Sequence, residues 1–387
     1  MAPIRILHCH STFSLGGKEA RAVRLMNAFG DAAEHFIVSG MPDRLAARDA
    51  IAGGIKASFP ADSPPLAGAP TPMRLWKLAL YMKRFDLVLT YNWGAFDMVM
   101  ARRLFGRTMK LPPLVHHEDG FNEDEAERLN RKRNRYRKLG LKAAHALVVP
   151  SERLERIARR YWGRAPLRIP NGVPVAAYAT PPEPGAIPGF DRQGDEIVIG
   201  TVAGLRAVKN LPRLVRAFAG MTHKEARLVI VGEGPESERI AATAREHGVA
   251  ARVLMPGFLA EPPRWIGHFD VFALSSDSEQ FPISLVEAMA AGLPAVATAV
   301  GDVPGIVAED NKPLIVEIED DESPAQTDLS FAAALDSLAD RPDLRRAIGA
   351  ANRDLARERY DEAEMIAAYA RLYGEAIGRP EAFTLTA

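Results

Sequence analysis

The stretch Asp270-Val-Phe-Ala-Leu274, followed by Glu279-Gln-Phe-Pro-Ile-Ser-Leu-Val-Glu287-Ala-Met-Ala-Ala-Gly292-Leu-Pro294, decides how the rest of the chain is read. An apolar run, a polar loop and a second apolar run at helical spacing make a strand–loop–helix unit. Pro282 sits where a first helical turn tolerates a missing N–H, Gly292 can close the helix, and Pro294 lies just beyond it. This puts Glu279 on the loop at the helix mouth and Glu287 on the helix itself. A carboxylate beside unpaired helix N–H groups is usually there to face something. A polyhydroxylated ligand with a phosphate uses both features, since carboxylates accept from hydroxyls and helix amides hold the anion. The plainer reading is a capping Glu279 and a solvated Glu287.

Outward from that unit, short apolar runs alternate with helical patterns. In the first half the strand candidates are Ile4–Cys9, His35–Val38, Asp86–Thr90, Pro113–His116 and Ala146–Val149, with helical spacing over Lys18–Phe29, Leu75–Lys83 and Phe96–Leu104. Tyr178–Gly194 then holds four prolines and three glycines with few apolar residues, the texture of a linker. Alternation restarts with Glu196–Gly200, Arg227–Val231, Arg252–Leu254, Val271–Leu274 and Ala295–Ala297, and Ser330 to Gly378 reads as helix with one break at Arg341-Pro342. The expectation is an α/β protein of two Rossmann-like, doubly wound domains facing one another across a cleft, with a helical tail. The boundaries expected are 1–175, a linker at 176–194, 195–360, and a helix at 361–387 returning to the first domain. Ligands in such sheets sit at the carboxyl ends of the strands.

Bulk properties fit. A chain of 387 residues suits two domains of roughly 150–200 residues each. It is 47% hydrophobic and 25% charged, with no apolar run near the ~18 residues of a membrane span. No signal-peptide pattern precedes Ile4, and a single cysteine, Cys9, excludes an internal disulfide framework; both suit the cytoplasm. Forty-nine basic and forty-nine acidic side chains cancel, so no global field argues for nucleic acid.

Four clusters follow strand candidates. Besides the opening segment, Gly16-Gly17-Lys-Glu19 allows close backbone approach to a phosphate at a helix start, but matches neither a dinucleotide nor an NTPase loop. His116-His117-Glu118-Asp119-Gly120 offers a histidine to a ligand oxygen, His117 before His116; adjacent histidines on an extended segment face opposite ways, which disfavours joint metal chelation. Gly204-Leu-Arg206-Ala-Val-Lys209-Asn210 brings two cations near a helix start, Arg as a fork and Lys as a point charge for a diphosphate. Gly232-Glu-Gly234 and Gly257-Phe258 could wall a nucleobase, though glycine after a strand is also ordinary turn chemistry. Arg128–Lys142 holds eight basic residues. It suits a peripheral contact with an anionic membrane or an acidic acceptor; a solvated helix face is the commoner explanation.

The motif E-x-F-P-x-x-x-x-E-A-M-A-x-G-x-P, from Glu279 to Pro294, is very similar to the signature of glycosyltransferase family 4. Supporting matches run in order: Gly16-Gly17-x-Glu19, Val149-Pro-Ser151, Ile169-Pro-Asn171-Gly172-Val173, the Leu205–Asn210 turn, Val231–Pro235, Pro256-Gly257-Phe258 and Val300–Pro304. The resemblance covers nearly the whole chain and is stronger in the second half. It implies the GT-B fold and transfer from a nucleotide-sugar donor with retention of anomeric configuration. It also implies that Glu279 contacts the donor sugar and Glu287 the ribose. Gln280, Phe281 and Pro282 would lie against sugar and diphosphate, Lys209 would neutralise the leaving group, Gly16 and Gly17 would approach it, and His117 would sit beside the transferred sugar. The family needs no divalent metal, the leaving-group charge falling on cations and helix N-termini. Three positions depart from it. Gly204 stands where an arginine is usual, leaving Arg206 as a substitute; Gln280 replaces a glycine; Gly305 replaces a glutamate.

The function expected is a retaining hexosyltransferase taking a UDP- or GDP-sugar, with no added cofactor, and acting on a glycan or lipid-linked acceptor in bacterial surface polysaccharide or glycolipid assembly. Its place would be the cytoplasm or the inner face of the membrane. A nucleotide-sugar epimerase of the same fold and a non-catalytic nucleotide-sugar-binding protein are the alternatives. The sequence names neither base, sugar nor acceptor.

Overall fold

The computed structural model describes residues 2–14, 16–121, 125, 129–318 and 324–383. Internal contacts divide the chain into two units, Met1–Asn171 with Ala363–Ala387, and Gly172–Glu362.

Unit 1 is built on β1 (Ile4–His10), β2 (Ala33–Ser39), β3 (Ala57–Ser58), β4 (Leu87–Tyr91), β5 (Leu114–His117), β6 (Ala146–Val149) and β7 (Leu167–Arg168). Their order in the sheet is β3-β2-β1-β4-β5-β6-β7, all pairs parallel. Parallel sheets are covered on both faces, and β4 shows how one strand feeds two cores. Leu87, Leu89 and Tyr91 join the cluster containing helix Gly17–Phe29 and the C-terminal helix, whereas Val88 joins the one containing helices Pro72–Met82 and Phe96–Phe105.

Unit 2 carries β8 (Val198–Val202), β9 (Arg227–Val231), β10 (Val253–Gly257), β11 (Val271–Leu274), β12 (Ala295–Thr298) and β13 (Ile315–Val316), in the parallel order β10-β9-β8-β11-β12-β13. The stretch expected as a linker contributes Tyr178 and Ile187 to this unit's buried core.

The helix Ile283–Ala290 starts after Pro282, as the sequence implies. It ends in a Schellman motif: Gly292, at φ +77°, donates its N–H to Met289 O (2.9 Å), and Leu293 donates to Ala288 O (3.0 Å). The helical tail breaks twice, giving Pro324–Ala339, Pro342–Arg359 and Glu362–Ala376. At the second break the Val173 N–H donates to Tyr360 O (2.9 Å) and Glu362 N–H to Val173 O (3.0 Å). A Cβ on Gly172 would lie 2.6 Å from Glu362 Cα, so only glycine lets these two segments touch.

Candidate active site

Because every strand of unit 2 is parallel, the loops that follow them leave on one edge. The chain winds outward from β8 through β9 to β10, then restarts at β11 on the other side of β8. The switch point therefore lies between the loops after β8 and β11, which carry Lys209 and Glu279. Lys209 Nζ donates to Glu279 Oε1 at 2.5 Å, and Ser276 Oγ donates to the same oxygen at 2.7 Å. Both charged side chains keep some exposure, 16% for Lys209 and 10% for Glu279. An ammonium has three donors, so Lys209 has capacity beyond this pair.

The two loops are pinned to each other. Ser275 Oγ donates to Lys209 O and Asn210 O, both at 3.1 Å, and the Asp277 N–H donates to Val208 O at 2.8 Å. The Asp277 carboxylate accepts from Asn210 Nδ2 (3.1 Å) and Arg213 Nη1 (2.6 Å). Asn210, left-handed at φ +40°, also caps helix Leu211–Gly220 by accepting from the Arg213 N–H. Two glycines let neighbouring loops close on this frame. A Cβ on Gly301 (φ +59°) would lie 2.1 Å from Glu279 O, and one on Gly232 (φ +141°) 1.9 Å from Ala203 O. The Val300–Pro304 motif thus backs the Glu279 loop directly.

The other expected residues of unit 2 are spread around this pair. Arg206 is exposed, and its guanidinium has no hydrogen-bond or ion-pair partner among the described residues. Gln280 is half-buried, and its Oε1 is enclosed with no hydrogen-bond partner among the described residues. Phe281 packs its ring edge-on to Tyr360, 5.7 Å between centroids, while Pro282 is buried at the helix start. Glu287 is half-buried one turn into the helix. Gly257 is left-handed (φ +87°), and Phe258 beside it is 60% exposed, its N–H donating to Glu233 Oε1 at 3.4 Å.

In unit 1, Gly16 and Gly17 are exposed at the start of helix Gly17–Phe29. His117 differs from the expectation. It is 1% exposed; Nδ1 faces Thr90 O (3.2 Å) and so carries the proton, leaving Nε2 to accept from the Tyr373 hydroxyl at 2.8 Å. Its ring stacks on Tyr91 at 4.6 Å. Burial, with the Arg21 charge nearby, pushes its pKa down to about 3. The reason for the correction is tertiary: the C-terminal helix supplies Tyr373, which covers the strand end and takes the nitrogen a ligand would need. His116 is buried too, bonded to Thr90 Oγ1 at 2.9 Å.

Sequence reading missed the ion pair beneath: the buried Arg21 forks onto the half-buried Asp119 (2.5 and 2.9 Å) and reaches Asn171 (2.8 Å). Burial raises the Asp119 pKa, but Arg21 overrides it and holds the carboxyl below its usual range. Partners 98 and 150 residues apart leave no local signal. Asn210 and Asp277 were findable, as polar residues flanking Lys209 and Glu279. Within the basic stretch, Arg128 lies outside the described residues and Arg137 is buried on Glu125. Arg131, Lys132, Arg135, Lys138 and Lys142 are exposed. Among the described residues no helix is long and apolar enough to cross a membrane, and no group of three or more His, Cys, Asp or Glu could hold a metal ion.

These features define a chain of two Rossmann-like units with a charged pair at one switch point, the GT-B fold of glycosyltransferases. Two family profiles match it: Glycosyltransferase Family 4 over residues 15–177 and Glycosyl transferases group 1 over residues 187–355. The chain belongs to glycosyltransferase family 4. It is 28% identical over 179 residues to N-acetyl-alpha-D-glucosaminyl L-malate synthase of Bacillus anthracis, covering 46% of this chain and 45% of that protein. It is 30% identical over 205 residues to D-inositol 3-phosphate glycosyltransferase of Segniliparus rotundus, covering 50% and 44%. These matches therefore span less than half the length of either relative. Among solved structures, Anabaena HepE in complex with UDP and glucose shares the fold, with a TM-score of 0.76 at 18% identity over 95% of this chain and 98% of that one.

Proposed function

We propose that this protein transfers a hexose from a nucleoside diphosphate sugar to an acceptor hydroxyl with retention of configuration, in polysaccharide or glycolipid assembly. The observation that carries this reading is the Lys209–Glu279 pair at the switch point of unit 2, on loops cross-bonded through Ser275 and Asp277. Breaking the glycosidic bond moves negative charge onto the leaving diphosphate. Lys209 has donors left to meet that charge, and exposed Arg206 adds a second cation in place of the arginine missing at Gly204. Glu279, held by Lys209 and Ser276, would accept from hydroxyls of the sugar, and Glu287 from the ribose. The unpartnered Gln280 Oε1 is a further acceptor for the sugar, where relatives carry no side chain. A front-face transfer, in which the leaving phosphate helps deprotonate the acceptor, asks for no enzymic nucleophile. His117 has neither exposure nor a spare nitrogen, and it drops out of this site.

UDP-hexoses are the first donors to try, since HepE was solved with UDP and glucose. A thermal-shift panel of UDP- and GDP-sugars is the test, because a ligand that binds the folded state raises the melting temperature by mass action. One nucleotide series should raise it and the other should not. No response to any nucleoside diphosphate sugar would sink the proposal.

A further inference from the structure

The helices Pro72–Met82, Phe96–Phe105 and Arg131–Gly140 form one layer of unit 1. From β3 through β4 and β5 to β6 the chain always moves the same way across the sheet, and right-handed crossovers put the connecting helices on one face. The first helix packs on the second and the second on the third. Toward the sheet they supply Leu75, Leu78, Phe96 and Val99 to one buried cluster, with Tyr136 packed against it.

Away from the sheet, the layer leaves large apolar side chains in water. Met73, Trp76 and Leu80 recur at helical spacing along Pro72–Met82 and are 62%, 42% and 39% exposed, while Leu75, Leu78, Ala79 and Met82 are buried. Leu104 and Leu139, on the next two helices, are 54% and 46% exposed. A helix that needs one apolar side to hold its place on the sheet here has two.

Charge of one sign gathers on the same layer. The whole chain carries forty-nine basic and forty-nine acidic side chains, but these three helices carry ten basic residues and one acidic, Asp97. Asp97 is committed within the layer, accepting from Arg74 Nη1 (2.5 Å) and the Tyr136 hydroxyl (2.9 Å). Lys77 and Lys83 each stand three residues from Leu80, Arg103 adjoins Leu104, and Arg135 and Lys142 stand four and three residues from Leu139. All five are exposed, and their charged ends have no hydrogen-bond or ion-pair partner among the described residues.

The two features together select the partner. A polyanion such as nucleic acid would answer the cations and leave the apolar stripe in water. A second copy of this chain would cover the stripe but set like charge against like charge. An anionic lipid surface answers both. Its headgroups neutralise lysine and arginine, and its acyl boundary takes leucine, methionine and an indole, the ring that favours that depth. No helix among the described residues is long and apolar enough to cross a membrane, so such a contact is peripheral.

We propose that this helix layer docks on an anionic membrane, with the Met73–Trp76–Leu80 stripe in the headgroup boundary and the flanking lysines and arginines on lipid phosphates. The basic stretch that ends at Lys142 is then half of a contact whose apolar half lies on another helix, Pro72–Met82.

The full-length protein is floated with vesicles of phosphatidylcholine alone and of phosphatidylcholine with phosphatidylglycerol in equal parts, with no donor present. It should bind the anionic vesicles and not the neutral ones. Lys77→Gln combined with Lys83→Gln should weaken partitioning about thirtyfold, roughly fivefold for each cation near the surface. Trp76→Ser should weaken it about tenfold. All three positions are exposed, so the melting temperature should hold, which separates a lost contact from a lost fold. No binding, equal binding to both vesicles, or indifference to the lysine variant overturns the proposal. Trp76→Ser that binds as well as the wild type reduces the contact to ion exchange and overturns it too. So does a concentration-dependent dimer that Trp76→Ser abolishes, which would put a second copy on this face. A flat thermal-shift panel with nucleotide sugars would strike the transferase reading and leave this surface standing.

Discussion

Both sheets reverse their winding beside their first strand, yet the carboxyl ends of their strands are put to different use. In unit 2 the strands stop early and the loops carry the polar groups: Lys209 and Glu279 face one another with part of each side chain exposed. In unit 1 the polar groups sit within the strands and are covered. His8 Nε2 lies 3.0 Å from His35 Nδ1, His10 stacks on Tyr91 at 4.0 Å, and His117 is closed over by Tyr373. A polar residue at or beyond a strand end is thus left partly exposed in one unit and made core in the other. What decides is whether another element covers that edge of the sheet, here the C-terminal helix with Tyr369 and Tyr373.

It follows that cutting the pair of buried Arg21 with Asp119 in unit 1 damages stability, while cutting the partly exposed Lys209–Glu279 pair in unit 2 damages chemistry. The largest stability effect is expected from Asp119→Ala, which leaves the Arg21 guanidinium buried with Asn171 and the Tyr369 ring but no carboxylate. It should cost about 3–5 kcal/mol in chemical denaturation, the range for breaking one partner of a buried ion pair.

Acid should unfold unit 1 first. Six of the nine histidines lie in it, and burial holds His35 at about 4, His117 at about 3, and His8 and His10 well below the ordinary value. The unfolded chain therefore takes up protons near pH 6.5 that the folded unit refuses. Stability is fully present above that pH and falls as pH drops toward the folded values. Each such histidine removes on the order of 1.4 kcal/mol per pH unit in that window. Hydrogen exchange resolved by peptide, after pulses from pH 7 down to 4, should show unit 1 opening before unit 2; simultaneous opening would contradict the contrast.

Gly301→Ala probes the other side. The added methyl would strike Glu279 O, at a backbone conformation that alanine adopts with strain. The expected cost is about 1–3 kcal/mol, with weaker nucleotide-sugar binding because the Glu279 loop must shift. The smallest effect on activity should come from His117→Gln. Its loss of ring stacking and of a matched acceptor for Tyr373 should lower stability by about 1–3 kcal/mol, while the Michaelis constant for donor stays unchanged. A donor constant raised tenfold would return His117 to the site.

Strands and helix spacing were legible wherever burial imposes a period, as in Arg227–Val231 or Ile283–Ala290. The two-residue strands Ala57–Ser58, Leu167–Arg168 and Ile315–Val316 are too short to show one. The helix break at Tyr360 carries no proline or glycine; it is made by pairing with Val173, far away in sequence. Lys209 and Glu279 were visible because each stands on a loop between a strand and a helix. Their direct pairing was not, since it depends on β8 and β11 being neighbours. His117 has the same local signature, and only a helix 256 residues later makes it core.

The central claim, that Lys209 and Glu279 hold the donor at the switch point of unit 2, is tested most directly by Lys209→Ala. Turnover is measured with whichever nucleotide sugar stabilises the wild-type protein. The account predicts a loss of transition-state stabilisation of roughly 3–4 kcal/mol, about 10²–10³-fold in rate. Stability should change by about 1 kcal/mol or less, as expected for a partly exposed pair. Near-normal turnover in that variant would contradict it.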